Sequence, residues 1–191
     1  MRPAQLTALL VLPLFTACSG GESNKDPVAE AKFQNEKRIG GEDITAKQER
    51  DAEFMVTAAN RSMFDLEISQ IAKRKASSPD VKYVAEAVAG QHGPMQTELK
   101  TLAEKKSIVL PASLGGDQAK QVGELTALNG AAFDRKYIEL LEETHKKSVD
   151  NFDDMSDDAY DGDIRAFAAK YLTTLKNHLE AAEKAADQLP K

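Results

Sequence analysis

Four stretches between residues 45 and 189 repeat their apolar residues at the helical period, and helix-breaking residues separate them at only three places. The first runs from Thr45 to about Ala76, with Thr45 and Gln48 at the spacing of a capping box. Ser78-Pro79 restarts the chain as N-cap and first helical residue, and the second helix is expected to reach Lys106. SIVLPASLGG follows, with Pro111 and Gly115-Gly116 as breakers, then a shorter helix over Asp117–Leu128 that Asn129-Gly130 closes. The third long helix covers Ala131–Met155, and the acidic turn SDDAYDGD caps the fourth, Asp163–Leu189. The best strand candidate, Ile108–Leu110, is too short, so the chain reads as all-α.

The connections constrain the arrangement. The first and second long helices are joined by a short turn, as are the third and fourth, so each pair is antiparallel. The link between the second and third is long and carries its own helix. At ~1.5 Å per helical residue plus extended flanks it can travel the length of its neighbours. The expectation is a ferritin-like four-helix bundle with a long crossover containing an extra short helix; a five- or six-helix array is the alternative.

The apolar stripes show which residues face inward. Three of them contain a histidine: His92 among Val88, Met95 and Leu99; His145 among Leu141, Val149 and Phe152; His178 among Leu175, Ala182 and Ala185. These are all the histidines in the chain, one on each of three helices. On the first helix Glu67 sits among Met63, Phe64 and Ile71, so it is the inward polar residue expected there. Burying such groups without partners costs about 1–3 kcal/mol each. They must satisfy one another, take up water or bind a metal. His and Glu suit Zn, Cu, Fe and Mn, and facing helices build such sites in bundle cores. Glu142 stands three before His145, the Glu-x-x-His spacing of di-iron proteins, and is a further candidate ligand. Leu175 and Ala89 occupy the matching positions before His178 and His92, which argues against a di-iron carboxylate centre. Counting from the expected helix ends puts Glu67 and His92 within ~5 Å of one level but offsets His145 from His178 by ~8 Å. His92 is followed by Gly93-Pro94, a kink site in mid-helix.

Residues 1–17, MRPAQLTALLVLPLFTA, place Arg2 before an apolar run from Leu6 to Phe15. That run is too short to span ~30 Å of hydrocarbon and fits a signal peptide. Thr16 and Ala17 then precede Cys18, the only cysteine, as in the bacterial lipoprotein processing box. The expected layout is a signal peptide over 1–17, a lipid-anchored flexible tether over 18–44 and a helical domain over 45–191. Asp26-Pro27 opens a marginal helix inside the tether. Lipidation of Cys18 would put the protein in the cell envelope, with Ser19 pointing to the periplasmic face of the outer membrane. Without residues 1–17 the chain keeps 24 basic and 31 acidic residues, a net charge of −7, which disfavours nucleic acid as a partner. No nucleophile triad, phosphate loop or dinucleotide fingerprint is present.

Asp51-x-x-Phe54, Glu67-Ile68, His92, Leu110-Pro111, Phe133-Asp134-x-x-Tyr137, His145 and His178-Leu179 together resemble the bacterial domain-of-unknown-function 4142 family, over roughly Asp51–Leu179. The resemblance implies an exported, ferritin-like helical protein and supplies no reaction. Gln91 and Gly93-Pro94 depart from the family's pattern around His92. Two functional readings follow: a lipid-anchored envelope protein holding a transition metal through Glu67, His92, His145, His178 and Glu142, or a non-catalytic envelope protein whose buried histidines only hydrogen-bond.

Overall fold

The computed structural model describes residues 25–39 and 46–190. Within them the chain forms six α-helices and no strand: α1 (Pro27–Ile39), α2 (Ala46–Lys75), α3 (Pro79–Lys106), α4 (Gly116–Ala127), α5 (Gly130–Asp158) and α6 (Gly162–Gln188). Residues 1–24, with Cys18 and the expected signal peptide, lie outside the described residues, as do residues 40–45. None of the described helices is long and apolar enough to cross a membrane.

Side-chain caps set the starts of α3 and α6. Ser78 is extended, its hydroxyl accepts from the Val81 amide, and Pro79 needs no donor at the first turn. Asp161 caps α6 by accepting from the amides of Asp163 and Ile164. Helix α5 begins on Gly130, whose φ of +58° costs glycine no Cβ clash. Helix α3 runs unbroken through Pro94.

The four long helices pack as a ring in which α2 and α6 each touch both α3 and α5. Residues 51, 61, 65 and 69 of α2 bond to residues 160, 147, 144 and 137 of the α5 hairpin, so α2 and α5 run antiparallel. Glu98 with Tyr171 and Lys106 with Asp161 show the same for α3 and α6. Lys106 therefore ends α3 at the α5–α6 turn, whereas α5 starts beside the α2–α3 turn. The segment between them runs along α2: Gly115 donates to Asn60, Asn60 bonds Gln118, and Lys75 reaches the Thr126 carbonyl.

Each hairpin holds the other's turn. Buried Asp51 accepts from the amides of Tyr160 and Asp161, and buried Asp134 accepts from those of Ser77 and Ser78. Residues 51, 77 and 78 thus have counterparts at 134, 160 and 161, a constant offset of 83. The offset extends to the cores, where Val81, Val84, Ala85 and Val88 match Ile164, Phe167, Ala168 and Tyr171, all buried. The two hairpins are related by an approximate two-fold.

The stretch expected as a flexible tether contains α1, which is fixed to the body. Asn35 donates to the Val109 carbonyl at 2.9 Å and accepts from its amide at 2.7 Å. Arg38 donates to the Ser107 carbonyl, and Asp26 accepts from the Gly116 amide. This short helix buries little beyond Ala31 and Asn35, so directed polar bonds rather than apolar area hold it.

Candidate metal centre

The apolar core is divided by a polar layer. One half contains Phe64, Val88, Leu141 and Ala182. The other contains Ala59, Met95, Phe152 and Leu175. Between these levels His92, His145 and His178 turn inward from α3, α5 and α6, with exposures of 1, 0 and 3%. Their ring centroids stand 5.4, 5.5 and 5.4 Å apart. One nitrogen from each comes within 4.8 Å of the others. The offset expected between His145 and His178 narrows, because α5 runs on to Asp158 and α6 starts at Gly162. These boundaries leave the two residues 13 and 16 positions from the turn.

The hydrogen bonds assign the protons. Nδ1 of His145 lies 3.0 Å from the Leu141 carbonyl, which can only accept, so this nitrogen donates and Nε2 keeps its lone pair. Nε2 of His145 is 3.4 Å from Nδ1 of His178, which then donates to it. Nδ1 of His92 meets the Ser62 hydroxyl at 3.2 Å. The Nε2 atoms of His92 and His178 are buried with no hydrogen-bond partner. Burial pushes His92 down to about 3 and His178 down to about 4. Burial and then the other two rings hold His145 well below its usual value. All three are neutral imidazoles at physiological pH, the state in which histidine binds metals.

Of the expected carboxylates, neither joins them. Glu67 is exposed and lines a surface cavity of about 620 Å³ with Met63, Gln70 and Arg74. Of the apolar residues around it, Met63 and Ile71 line the same cavity with Leu114 of the α3–α4 connection, whereas Phe64 packs in the core. The polar residues that α2 buries here are instead Ser62, Asp65 and Ser69, beside apolar Phe64 and Ile68. At ~100° per residue Glu67 is turned ~200° from Asp65. Ser62, not Glu67, occupies the level of His92, since both lie 13 residues from the α2–α3 turn. Glu142 is half-buried and pairs with Lys146 at 3.0 Å.

Asp65 is the residue that the apolar pattern hides. It is fully buried, and Thr144 donates to its Oδ1 at 2.6 Å. Its Oδ2 has no hydrogen-bond partner and lies 3.6 Å from Nδ1 of His145. Burial raises it to about 7, against the opposing pull of Thr144 and Arg61. Its sequence signal was an acid three residues after Ser62 and three before Ile68, on the stripe that carries both.

The donor set suits a transition metal. Three neutral nitrogens match Zn, Cu, Fe or Mn and not the oxygen-seeking Ca or Mg. Around one ion at ~2.0–2.1 Å, ligand nitrogens stand ~3.4 Å apart, so the rings would draw together by up to ~1.4 Å.

The fold is shared with solved structures of low identity. A DUF305 fragment from Deinococcus radiodurans superposes with a TM-score of 0.64 at 13% identity, covering 73% of this chain and 97% of that one. A conserved hypothetical protein from Mycobacterium tuberculosis gives 0.61 at 14% identity, covering 76% and 96%. No curated protein matches the chain. The profile of the domain of unknown function DUF4142 matches residues 41–185, a span that includes all three histidines and Asp65. The chain belongs to the DUF4142 family.

Proposed function

We propose that this protein is a ferritin-like four-helix bundle, anchored in the bacterial envelope by a lipid on Cys18, whose core holds one transition-metal ion through His92, His145 and His178. The observation that carries the metal reading is the convergence of the chain's three histidines. They form a sealed, nearly equilateral triangle with two buried Nε2 atoms lacking any partner. Native cores rarely leave such atoms unsatisfied without a use for them. The burial of the rings favours holding an ion over turning over a substrate. The antiparallel ring of long helices and the connection that runs along α2 support the ferritin-like topology. The anchor rests on the sequence before Cys18.

A bound ion would supply Lewis-acid or redox chemistry; the protein's part is to present three neutral nitrogens and exclude water. The test is elemental mass spectrometry of the full-length protein after exposure to Zn, Cu, Fe and Mn, beside a variant with all three histidines changed to Ala. About one ion per chain, lost in the variant, is expected. No metal in either would overturn the reading and favour the second one, an envelope protein with a hydrogen-bonded histidine layer. The Ser62–His92 and His145–His178 contacts support that alternative.

A further inference from the structure

We infer that Asp65 is the positioning carboxylate of this centre, accepting the Nδ1–H of His145 and balancing the charge of the ion. The inference rests on the metal-binding reading above. Among the described residues three acids are fully buried: Asp51, Asp65 and Asp134. Asp51 and Asp134 spend both carboxylate oxygens on turn amides at opposite ends of the molecule. Asp65 alone keeps an oxygen without a donor, and that oxygen faces His145.

The geometry is one short movement from a carboxylate–histidine–metal relay. At 3.6 Å the Oδ2···Nδ1 contact is not a hydrogen bond, and the ring N–H goes to the Leu141 carbonyl instead. A cation on Nε2 makes the Nδ1–H a stronger donor, and a carboxylate is the stronger acceptor. A shift of under ~1 Å brings the pair to the ~2.8 Å of a charge-assisted bond. Thr144 fixes the other oxygen, so the carboxylate cannot turn away.

Charge gives the second reason. The three imidazoles bring no negative charge, and an uncompensated cation in a dry core is costly. Asp65 is the one buried acid beside the site with an oxygen to spare.

The experiment measures the Zn(II) dissociation constant of full-length protein by chelator competition, with Asp65→Asn and His145→Ala as variants. Asn keeps the volume and accepts from Thr144 but offers His145 a donor in place of an acceptor. Expected for D65N are about one Zn(II) per chain and a dissociation constant about 10–100-fold higher. In ¹⁵N-histidine NMR, Zn(II) should move the His145 Nδ1 proton downfield in the wild type and not in D65N. A folded D65N with wild-type affinity and wild-type proton shift overturns the role of Asp65 while leaving the metal site intact. A wild-type protein that takes up no Zn(II), Cu, Fe or Mn overturns the metal reading, and this one with it. If D65N does not fold, Thr144→Ala replaces it, since it loosens the carboxylate without removing its charge. A several-fold weaker affinity supports the role, and an unchanged one overturns it.

Discussion

Lowering the pH should unfold the metal-free protein from its centre outward. The histidines of the trio are bases held below 6.5 by burial, so each stabilises the fold above 6.5 and loses that contribution as the pH falls. Between pH 7 and pH 5 the unfolded chain protonates its histidines while the folded one resists. Because 6.5 lies 1.5 units above pH 5, the loss is capped at about 2 kcal/mol per histidine. His178, held at about 4, nearly reaches that cap, and so do the other two, which lie lower or well below 6.5. Asp65 acts in the opposite sense. Its folded value of about 7 exceeds the ordinary 3.8, so it favours the fold at low pH and loses that as pH rises. Acidification to pH 5 recovers about 2 kcal/mol from it. The net loss is about 4 kcal/mol, a large share of the 5–15 kcal/mol typical of a domain. The assay is urea unfolding followed by far-UV circular dichroism, with chelator present, at pH 7 and pH 5. His178→Leu removes one of the three bases and should shrink the loss by about 2 kcal/mol. Equal stability at the two pH values, or a variant with the wild-type pH dependence, would refute the reasoning.

The two carboxylate clasps offer a second check. Asp51→Ala and Asp134→Ala each strand two turn amides and should each cost about 1–3 kcal/mol in urea unfolding. Because the clasps sit at opposite ends, the double variant should show the sum within about 0.5 kcal/mol. Asn35→Ala removes both bonds to Val109, so hydrogen exchange should accelerate across residues 27–39 while α3, α5 and α6 keep their protection. Tyr137→Phe deletes the buried hydroxyl that meets Ser69 at 3.0 Å and leaves Ser69 without that partner. A loss of about 1–2 kcal/mol at unchanged helix content, read from thermal unfolding, is the expected outcome.

What could be read directly from the residues was whatever depends on neighbours in the chain. Ser78-Pro79, Asn129-Gly130 and the acids before α6 act within one turn, so the helix boundaries emerged within a few residues. His92, His145 and His178 were visible as inward because they interrupt otherwise apolar stripes on helices with one buried face. The first long helix defeated the same reasoning. It is covered on several sides, by α1, α3, α5 and the α3–α4 connection, so apolar Met63 and Ile71 mark that outer cover while Ser62, Asp65 and Ser69 face the core. Periodicity reports burial and cannot tell which neighbour does the burying, which is why Glu67 stood in for Asp65. The α1 contacts escaped for a related reason, since Asn35 finds Val109 across 74 positions of sequence. The sequence by itself determined six helices and three inward imidazoles, because capping and the 3.6-residue period are local. Only the tertiary structure decided that those imidazoles share one centre with Asp65 behind it, because axial level and facing depend on how long each helix runs and what packs against it.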